Sequence, residues 1–546
     1  MKKSRFSTFL IFLCTASLLL PLGACGSKGK ESGKGVKDVD ISNRYELDET
    51  KPAWQLDKKE EKTELTWYVN ADWWDTDWGK DIVTQQIEED LNLKIKFSKG
   101  DDTNLNTMFA GEDMTDFVTI FDEASKVAKD AKNWAYSLND LSKKYDPYWN
   151  KVAARETMEW LKLDDGKTYG YPSYSNTSED YKNNLIPANS AFFIRQDVYK
   201  AIGEPKLGTQ QEFIDAMSKI REKFPDLIPF GFRPFEDNGT GSLGEEFQDF
   251  IGVPLETEDG KFYNRNLDED YLSWLGTFRK IYNNGGISDD SFADDPNAFE
   301  EKVKSGQYAT IQASGTAQMG GALQTWLVSN PDAQYIAIDG PQSTKGNEPK
   351  LNQTGISGWM VNYISKSCKD PAKAMQFFTY LQSEYGGILT NYGIEGKTFE
   401  YNADHKIKLL PEVEEIKDND PERYQKEYRL SEFIFFGHDK FLNYASEDTQ
   451  PKALEQQKEW GKGKLYPHFI LENTEPDPGT ADARNASNIQ VEWSKTLINL
   501  VRSKSEKQFN ANLDSYKKFL DSNGWEDIEK VKNEKIKQNK EKLGID

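Results

Sequence analysis

The chain has 546 residues and a formal charge of −22, from 91 acidic and 69 basic side chains. This excess of acid argues against a nucleic-acid ligand, because phosphate contacts need clustered lysine and arginine. The length exceeds what one hydrophobic core usually holds and predicts two or more lobes.

The N-terminus has the pattern of a secretory signal peptide. Basic residues among the first five precede an apolar run over residues 9–22, which is too short for a membrane-spanning helix. The letters LGAC at residues 22–25 resemble the bacterial lipobox, in which cleavage leaves the cysteine linked to diacylglycerol. We therefore predict a signal peptide over residues 1–24 and a lipid anchor at Cys25, on the extracellular face of the cell membrane. The alternative is an ordinary signal peptide with an incidental cysteine.

The segment after the signal reads as a tether. Residues 25–63 are rich in Gly, Ser, Lys, Glu and Asp and poor in apolar side chains. Such a composition cannot bury enough surface to fold alone. We predict a lipidated Cys25 followed by a flexible stalk that ends near residue 63.

Cysteine content predicts no disulfide framework. Cys14 leaves with the signal, Cys25 carries the lipid, and Cys368 remains alone. We interpret Cys368 as a buried apolar thiol and not as a catalytic one.

The globular part opens with an α/β pattern. Apolar residues alternate over 65–70 and 93–97, as in strands, and recur at helical spacing over 81–91 between them. A short helix at 105–109 and an apolar run at 117–121 extend the pattern and predict a parallel sheet. In such sheets, ligands bind beyond the carboxyl ends of the strands.

A succession of motifs then resembles one known family. The run DGKTYGYP at 165–172 is followed by AFFIRQDVYKAIG at 191–203 and by a capping box at Thr209 to Glu212. This order is similar to that of extracellular solute-binding proteins of carbohydrate ABC importers. The segments at 275–289 and 358–375 match later elements of that family.

One signature narrows the resemblance. The letters YGIEGK at 392–397 are similar to a motif of the long-chain oligosaccharide-binding lipoproteins of Gram-positive bacteria. Family 1 solute-binding proteins of this kind imply a two-lobe, periplasmic-binding-protein-like (type II) α/β fold with interleaved lobes and a hinge. They also imply capture of an oligosaccharide between the lobes, delivery to membrane permease subunits, and a monomeric state.

The resemblance also implies where the lobes divide. We predict lobe 1 at residues 64–190 plus 366–430, and lobe 2 at 191–365 plus 431–546. The chain would cross between lobes near residues 191–196, 357–365 and 430. The end of the chain, from about 503 to 543, is predicted to be helical, with a solvated charged surface from Lys530 to Lys542.

A sugar site needs aromatic faces for the C–H faces of the rings and polar groups for the hydroxyls. Trp67 and Trp274 have the spacing of packing residues, whereas three tryptophans follow the first strand in a polar loop. The predicted ligand-binding candidates are Asn70, Trp73, Trp74, Trp78, Tyr171, Arg233, Asn238, Ser314 and Trp359.

The sequence contains letters that resemble enzyme motifs, but the residues around them do not fit those motifs. The letters GTGSLG at 239–244 spell a dinucleotide fingerprint but follow a turn-like polar run and not a buried strand. His405, His438 and His468 lack the spacing of a metalloprotease. We predict no catalytic residues, no cofactor and no metal site. In particular, residues 224–231 lack the alternating Asp and Asn of the calcium loop found in relatives.

Two other function classes stay open at this level. The first is a binding protein for a non-sugar ligand, or one that serves a sensor kinase. The second, which the sequence favours less, is a surface glycosidase or adhesin, since carboxylates are plentiful but sequence alone cannot pair them.

Overall fold

A computed structural model describes residues 39–121, 123, 125–235, 240–445 and 452–545, with only the backbone described at Asp418 and Pro421. The predicted signal peptide, Cys25, the first part of the tether and Asn238 lie outside these residues. All described residues belong to one compact unit, Val36–Asp546. Across these ranges, no helix combines the length and apolar character needed to cross a bilayer.

Two main sheets organise the described residues. The strands are β1 (Thr63–Val69), β2 (Leu93–Lys99), β3 (Phe117–Ile120), β4 (Gly170–Pro172), β5 (Ser190–Arg195), β6 (Ile228–Phe232), β7 (Tyr308–Ser314), β8 (Tyr335–Ile338), β9 (Val361–Ile364), β10 (Phe399–Tyr401) and β11 (Ile407–Leu409). The first sheet has the order β2-β1-β3-β9-β4 and the second the order β6-β7-β5-β8, while β10 and β11 form a hairpin.

Helices surround both sheets. They are α1 (Ile82–Leu91), α2 (Asp102–Ala110), α3 (Lys126–Lys129), α4 (Ala131–Trp134), α5 (Leu138–Tyr145), α6 (Trp149–Val152), α7 (Arg155–Trp160), α8 (Ser178–Lys182), α9 (Gln196–Ala201), α10 (Gln210–Lys223), α11 (Glu245–Phe250), α12 (Glu269–Asn283), α13 (Pro296–Lys304), α14 (Thr316–Ser329), α15 (Pro371–Gln382), α16 (Glu384–Tyr392), α17 (Pro411–Asn419), α18 (Pro421–Glu427), α19 (Glu455–Gly461), α20 (Ala481–Arg502), α21 (Glu506–Ser522) and α22 (Trp525–Leu543). Short 3₁₀ turns occur at Ala53–Gln55, Gly241–Leu243, Arg265–Leu267, Asp289–Phe292, Asp439–Tyr444, Lys452–Leu454 and Phe469–Leu471.

The predicted β-α-β opening is confirmed. Strand β1 pairs in parallel with both β2 and β3, and α1 connects β1 to β2. The side chain of Asp81 caps α1 by accepting a hydrogen bond from the Thr84 amide at 2.8 Å. Strand β9 runs antiparallel to β3, so the first sheet is mixed and not purely parallel.

The capped helix of the second lobe is also confirmed. Thr209 and Glu212 form a reciprocal capping box at the start of α10. The helix buries Phe213 and Ile220 against β6, because residues at this spacing share one face.

Each sheet has its own hydrophobic core. Trp67 is fully buried in the core of the first sheet and Trp274 in that of the second, which confirms both as packing residues. Cys368 is buried in the first core, as predicted for an apolar thiol. The buried clusters on the first sheet share no residue with those on the second, so each sheet is a packing unit of its own.

The prediction of a flexible tether up to residue 63 is wrong for residues 39–62. This segment packs on the first lobe, where the Tyr45 hydroxyl donates to the Tyr145 carbonyl at 3.0 Å. Asp57 lies nearly buried between Arg44 at 2.5 Å and Lys373 at 2.9 Å. The sequence missed this because the apolar anchors are few and the charges are paired with partners far along the chain.

Two short segments fall in a different lobe from the one predicted. Val361–Ile364 pairs with β3 and β4 in the first sheet, where all four of its side chains are buried. Phe433, Phe435 and Phe436 also pack in the first core. Both segments were assigned to lobe 2, and their packing moves them to lobe 1. The rest of the lobe division stays a prediction.

The predicted helices at the end of the chain are confirmed as α21 and α22, but their charged surface is not simply solvated. Lys532 is only 7% exposed and pairs with Glu475. Further along α22, Lys540 donates to the Gly260 carbonyl at 3.2 Å and Lys542 to the Trp160 carbonyl at 3.1 Å. Helix α22 therefore contacts both lobes.

Candidate functional site

The topology brings matching edges of the two sheets toward each other. The segment from Pro172 to Ser190 joins the end of β4 to the start of β5, and the segment from Ile338 to Val361 joins the end of β8 to the start of β9. Because β5 is antiparallel to both β7 and β8, its first residue lies at the same edge as their last residues. The carboxyl ends of β1 and β3 lie at the corresponding edge of the first sheet. The space between these edges is the candidate binding cleft.

An exposed aromatic surface lies at the first-lobe edge. Trp73, four residues beyond β1, is 60% exposed, and Trp359, two residues before β9, is 45% exposed. Their rings stack with centroids 6.0 Å apart and planes inclined by 12°. Phe121, at the end of β3, meets Trp359 edge-on at 5.2 Å. We call Trp73, Trp359 and Phe121 the aromatic platform.

The backbone holds Trp359 firmly at the crossing between lobes. Gly358 has a φ of +73°, and a Cβ at this position would lie 2.3 Å from the Ser173 carbonyl oxygen. The Trp359 amide donates to the same carbonyl at 3.0 Å. Only glycine fits both the left-handed conformation and the close approach.

The other two tryptophans of the loop are packing residues. Trp74 is 3% exposed and lies 4.6 Å from the ring of Phe435, with the Arg429 guanidinium 5.1 Å from its centre. Trp78 donates its indole N–H to Glu88 at 3.1 Å and packs against the first core. The ring of Trp74 is covered, and that of Trp78 is half-buried against the first core.

Arg429 is a positioning residue that the sequence did not reveal. Its guanidinium donates to the carbonyls of Asp75 at 2.6 Å and Asp77 at 2.5 Å. These bonds anchor the loop that carries Trp73, while the same guanidinium covers the ring of Trp74. No local sequence signal could have linked this residue to a loop so distant in the chain.

Two further candidates have their polar groups engaged within the first lobe. Tyr171 is buried, and its hydroxyl accepts the Ala154 amide at 2.9 Å. Asn70 is half-buried and donates to Asp102 at 2.7 Å while it accepts from the Tyr68 hydroxyl at 3.2 Å. The structure therefore places Tyr171 in the core and Asn70 at the end of β1, near the platform loop.

Arg233 and Ser314 lie together at the second-lobe edge. The Arg233 guanidinium donates to the Ser314 carbonyl at 3.1 Å, and the Ser242 hydroxyl accepts the Ser314 amide at 3.1 Å. Both predicted residues line a cavity of about 920 Å³ that also contacts Asn189, Ser190, Asn352 and Gln353. This cavity begins at the edge of the second sheet and extends beneath helices α20, α21 and α22.

The lining of the cavity was largely missed by sequence reasoning, because it comes from segments far apart in the chain. Its aromatic and amide members include Phe262, Tyr263, Asn264, Asn266, Gln490, Trp493, Tyr516 and Trp525. Its charged members are Arg233, Glu245, Glu246, Asp249, Arg265, Glu472, Glu475 and Lys532. Aromatic faces beside amides and charges suit a polar ligand with apolar faces.

Burial shifts the titration of several cavity groups. It raises the pKa of Glu246 to about 7 and that of Asp249 to about 6, although Arg265 lies 2.5 Å from Asp249 and opposes the second shift. Burial lowers the pKa of His468 to about 3, and its Nε2 lies 3.0 Å from the Lys350 carbonyl. His468 is therefore neutral near pH 7 and adds no positive charge to the wall.

We call the connecting segments around Tyr174, Gly355, Gly437 and Glu472 the hinge. The Asn176 amide donates to the Gly355 carbonyl at 3.0 Å, and the Tyr174 amide donates to the Gly437 carbonyl at 2.7 Å. Glu472 accepts the amides of Ile356 at 2.8 Å and Ser357 at 2.7 Å. Side-chain bonds add to these, with the Ser175 hydroxyl donating to the Ile356 carbonyl at 2.6 Å. The connecting segments are thus tied to each other close to the first sheet, just after β4 and just before β9.

Glu123 occupies the junction of this hinge with the first lobe. It follows β3, accepts a hydrogen bond from Asn473 and lies near Glu472. Burial and the neighbouring Glu472 carboxylate raise the pKa of Glu123 to about 7. Within the described ranges, no group of three or more His, Cys, Asp and Glu side chains is arranged to hold a metal ion.

Comparisons with known proteins bear on the fold. No family model matches the chain. The lipoprotein LipO of Bacillus subtilis (strain 168) is 24% identical over 337 residues, which cover 58% of this chain. The match spans 63% of the length of that lipoprotein.

Solved structures match nearly the whole described part. An extracellular solute-binding protein from Bifidobacterium longum subsp. infantis is similar with a TM-score of 0.65 and 14% identity, covering 88% of this chain and 98% of that one. FusA, an ABC-transporter substrate-binding protein of S. pneumoniae in complex with kestose, has a TM-score of 0.62 at 17% identity, with 87% and 99% covered. The alginate-binding protein AlgQ2 has a TM-score of 0.60 at 16% identity, with 88% and 99% covered. The chain has the two-lobe α/β fold of these solute-binding proteins, as the sequence predicted.

Proposed function

We propose that this protein is the substrate-binding component of an ABC importer and captures an oligosaccharide between its two lobes. The observation that carries the proposal is the exposed stack of Trp73 on Trp359 at the cleft edge of the first sheet. The polar cavity at the matching edge of the second sheet supports it. The fold shared with FusA, which was solved in complex with kestose, and with the alginate-binding protein AlgQ2 agrees with a saccharide ligand.

The platform and the opposite edge supply complementary chemistry. The C–H face of a sugar ring packs against an indole face, and the exposed sides of Trp73 and Trp359 offer such faces. Hydroxyl groups on the other side of the sugar meet Arg233, Asn352 and Gln353. The ligand then contacts both lobes at once.

Contact with both lobes favours the closed form. An open form exposes each wall separately, and a ligand shifts the population only by its extra contacts in the closed form. The hinge segments near Ser173, Gly355 and Gly437 are the points where rotation takes place. The closed complex then delivers its ligand to the permease subunits.

A lipid anchor completes the proposal. The lipobox-like residues 22–25 and the similarity to a Bacillus subtilis lipoprotein support attachment through Cys25 to the outer face of the membrane. Attachment keeps a captured sugar close to the transporter. The protein acts as a monomer and returns the sugar unchanged.

Solution scattering with a panel of oligosaccharides tests capture by closure. The panel contains neutral fructans, malto-, manno- and xylo-oligosaccharides from disaccharides to hexasaccharides. We expect at least one series to bind, to reduce the radius of gyration and to be recovered intact by chromatography. Shortened products indicate a glycosidase instead. Binding with no change of shape contradicts closure, and no binding by any series contradicts the proposed ligand class.

A further inference from the structure

The cavity continues well past the cleft edge into the second lobe. Beyond Arg233 and Ser314 its walls are the 3₁₀ turn at Arg265–Leu267, the start of α22 and the facing side of α20. We call the part lined by Tyr263, Arg265, Gln490, Trp493, Tyr516 and Trp525 the inner cavity.

We infer that the inner cavity receives one end of the captured oligosaccharide and that the charged lining of the whole cavity selects neutral sugars over anionic ones. The inference rests on the proposed function, because it extends the same ligand from the cleft into the second lobe. It adds a binding compartment beneath the C-terminal helices and a charge preference that the platform alone does not supply.

Size and continuity support the compartment. The cavity of about 920 Å³ is one space that reaches from Ser314 at the cleft edge to Trp525 in the first turn of α22. Ligand sites usually have volumes of roughly 300–1,000 Å³, so this one lies at the upper end of that range. Trp73, Trp359 and Phe121 do not line it, so this volume is additional to the space over the platform.

The wall chemistry suits a carbohydrate. The ring centroids of Phe262 and Trp525 lie 5.9 Å apart, and their planes are inclined by 59°. The two rings therefore offer apolar faces that point in different directions. Amide groups of Asn264, Asn266 and Gln490 lie on the same walls and both donate and accept hydrogen bonds. A sugar ring needs both, because its C–H faces pack on aromatic rings and its hydroxyl groups form hydrogen bonds with amides.

Two buried donors lie beside the inner cavity. The indole N–H of Trp493, a residue that is 4% exposed, and the Nε–H of Arg265 have no hydrogen-bond partner among the described residues. Buried donors in proteins are normally satisfied. Both atoms are closed to solvent in this structure, so a ligand hydroxyl oxygen would complete their hydrogen bonding once the covering side chains shift.

The charge balance of the walls opposes an anionic sugar. Asp249 neutralises Arg265 at 2.5 Å, and Glu475 neutralises Lys532. The lining charges outside these pairs are the carboxylates Glu245, Glu246 and Glu472 and the cation Arg233. A uronate carboxylate would meet like charges in a partly buried space, which disfavours its ionised form. The formal charge of −22 for the whole chain acts in the same direction at longer range.

A filling variant tests the compartment. Ala486 on α20 lines the cavity, and Ala486→Trp would occupy part of it. Ser487→Trp, at the exposed neighbouring position, is the matched control. Calorimetry with the panel described above should show affinity that increases with chain length in the parent protein and in the control. In Ala486→Trp the longest bound members should lose about tenfold or more in affinity, while the shortest bound member keeps its affinity.

A charge pair tests the selectivity. Oligogalacturonates of the same lengths should bind at least about tenfold more weakly than the neutral series. Glu246→Gln should reduce this difference in affinity between the neutral and the anionic series. Glu258 is an exposed carboxylate outside the cavity, so Glu258→Gln should leave the difference unchanged. Circular dichroism and thermal unfolding establish that each variant is folded.

The outcomes separate this inference from the proposed function. Suppose that neutral sugars bind, and that Trp73→Ala lowers their affinity but Ala486→Trp does not. The cleft is then part of the binding site, and the inner cavity is not. If oligogalacturonates bind as tightly as the neutral sugars, the charge preference is wrong. If no saccharide binds the parent protein, the proposed function fails and the inference fails with it.

Discussion

The indole ring of Trp73 lies almost parallel to that of Trp359, with centroids 6.0 Å apart, although one residue follows β1 and the other precedes β9. The two strands are separated in the sheet by β3. Phe121, the residue directly after β3, contacts both rings. Three neighbouring strands thus contribute one aromatic ring each to the same edge. An exposed aromatic surface of this kind marks a binding site more strongly than single exposed rings do.

We predict that Trp73→Ala and Trp359→Ala each weaken oligosaccharide binding by about 1–3 kcal/mol, because each removes a stacking face. The exposed rings contribute little to the core, so both variants should stay folded. Titration calorimetry measures the affinities. Tyr385→Ala is the control, since Tyr385 is exposed on the same lobe but stacks on Trp54. Unchanged affinity in both tryptophan variants would remove the platform from the site.

We predict that Gly358→Ala destabilises the protein and weakens binding. A left-handed φ at a non-glycine residue costs about 1–3 kcal/mol, and the added Cβ would collide with the Ser173 carbonyl. Gly346→Ala is the matched control, since Gly346 has a φ of +78° but no atom within 4 Å of the added Cβ. Urea unfolding measures stability, and calorimetry measures affinity. Equal effects of the two substitutions would show that the contact with Ser173 does not matter.

We predict that Glu123 and Glu246 each make the protein less stable as the pH rises from about 4.5 to about 7, while the lowered pKa of His468 acts in the opposite direction. Burial raises the pKa of Glu123 and of Glu246 to about 7, above the unfolded value of 4.5, so the folded state holds extra protons in this window. Each group should change the unfolding free energy by roughly 1–3 kcal/mol. Urea unfolding at several pH values gives the unfolding free energy as a function of pH. This free energy should change less with pH in Glu123→Gln than in Glu258→Gln, an exposed control. A slope that is the same in both variants would contradict the predicted titration.

We predict that Cys25→Ala abolishes lipid attachment, because the lipobox cysteine carries the diacylglycerol. The variant should appear unprocessed or be released from the cell envelope. Fractionation with labelling by a radioactive fatty acid measures both effects. Cys14→Ala, within the predicted signal, is the control and should be processed like the parent. A membrane-bound, mature-sized and lipid-labelled Cys25→Ala protein would refute the lipoprotein hypothesis.

Local patterns made the fold predictable. Alternating apolar residues in β1 and β2, a capped amphipathic α1 and the reciprocal cap on α10 all lie within short windows, where period and capping act directly. The boundary errors have the opposite origin. Val361–Ile364 looked like an inter-lobe strand because its burial depends on pairing with β3, more than two hundred residues earlier in the chain.

The site was only partly predictable for the same reason. Trp73 and Trp74 are neighbours in one polar loop, and nothing local distinguishes the exposed ring from the buried one. The difference arises because Arg429 and Phe435, far along the chain, cover Trp74. The inner cavity likewise forms only when α20 and α22 meet the loop at 262–266, so single residues such as Trp493 carried no signal of their own.

The packing of residues 39–62 on the first lobe sets how far that lobe can move from a membrane. If Cys25 carries the lipid, only thirteen residues lie between it and Val39, the first residue of the packed segment. A fully extended chain spans at most about 3.6 Å per residue, so the segment between Cys25 and Val39 reaches at most about 50 Å. The first lobe would then lie within about 50 Å of the bilayer, and closure would move the second lobe relative to a first lobe held near the membrane.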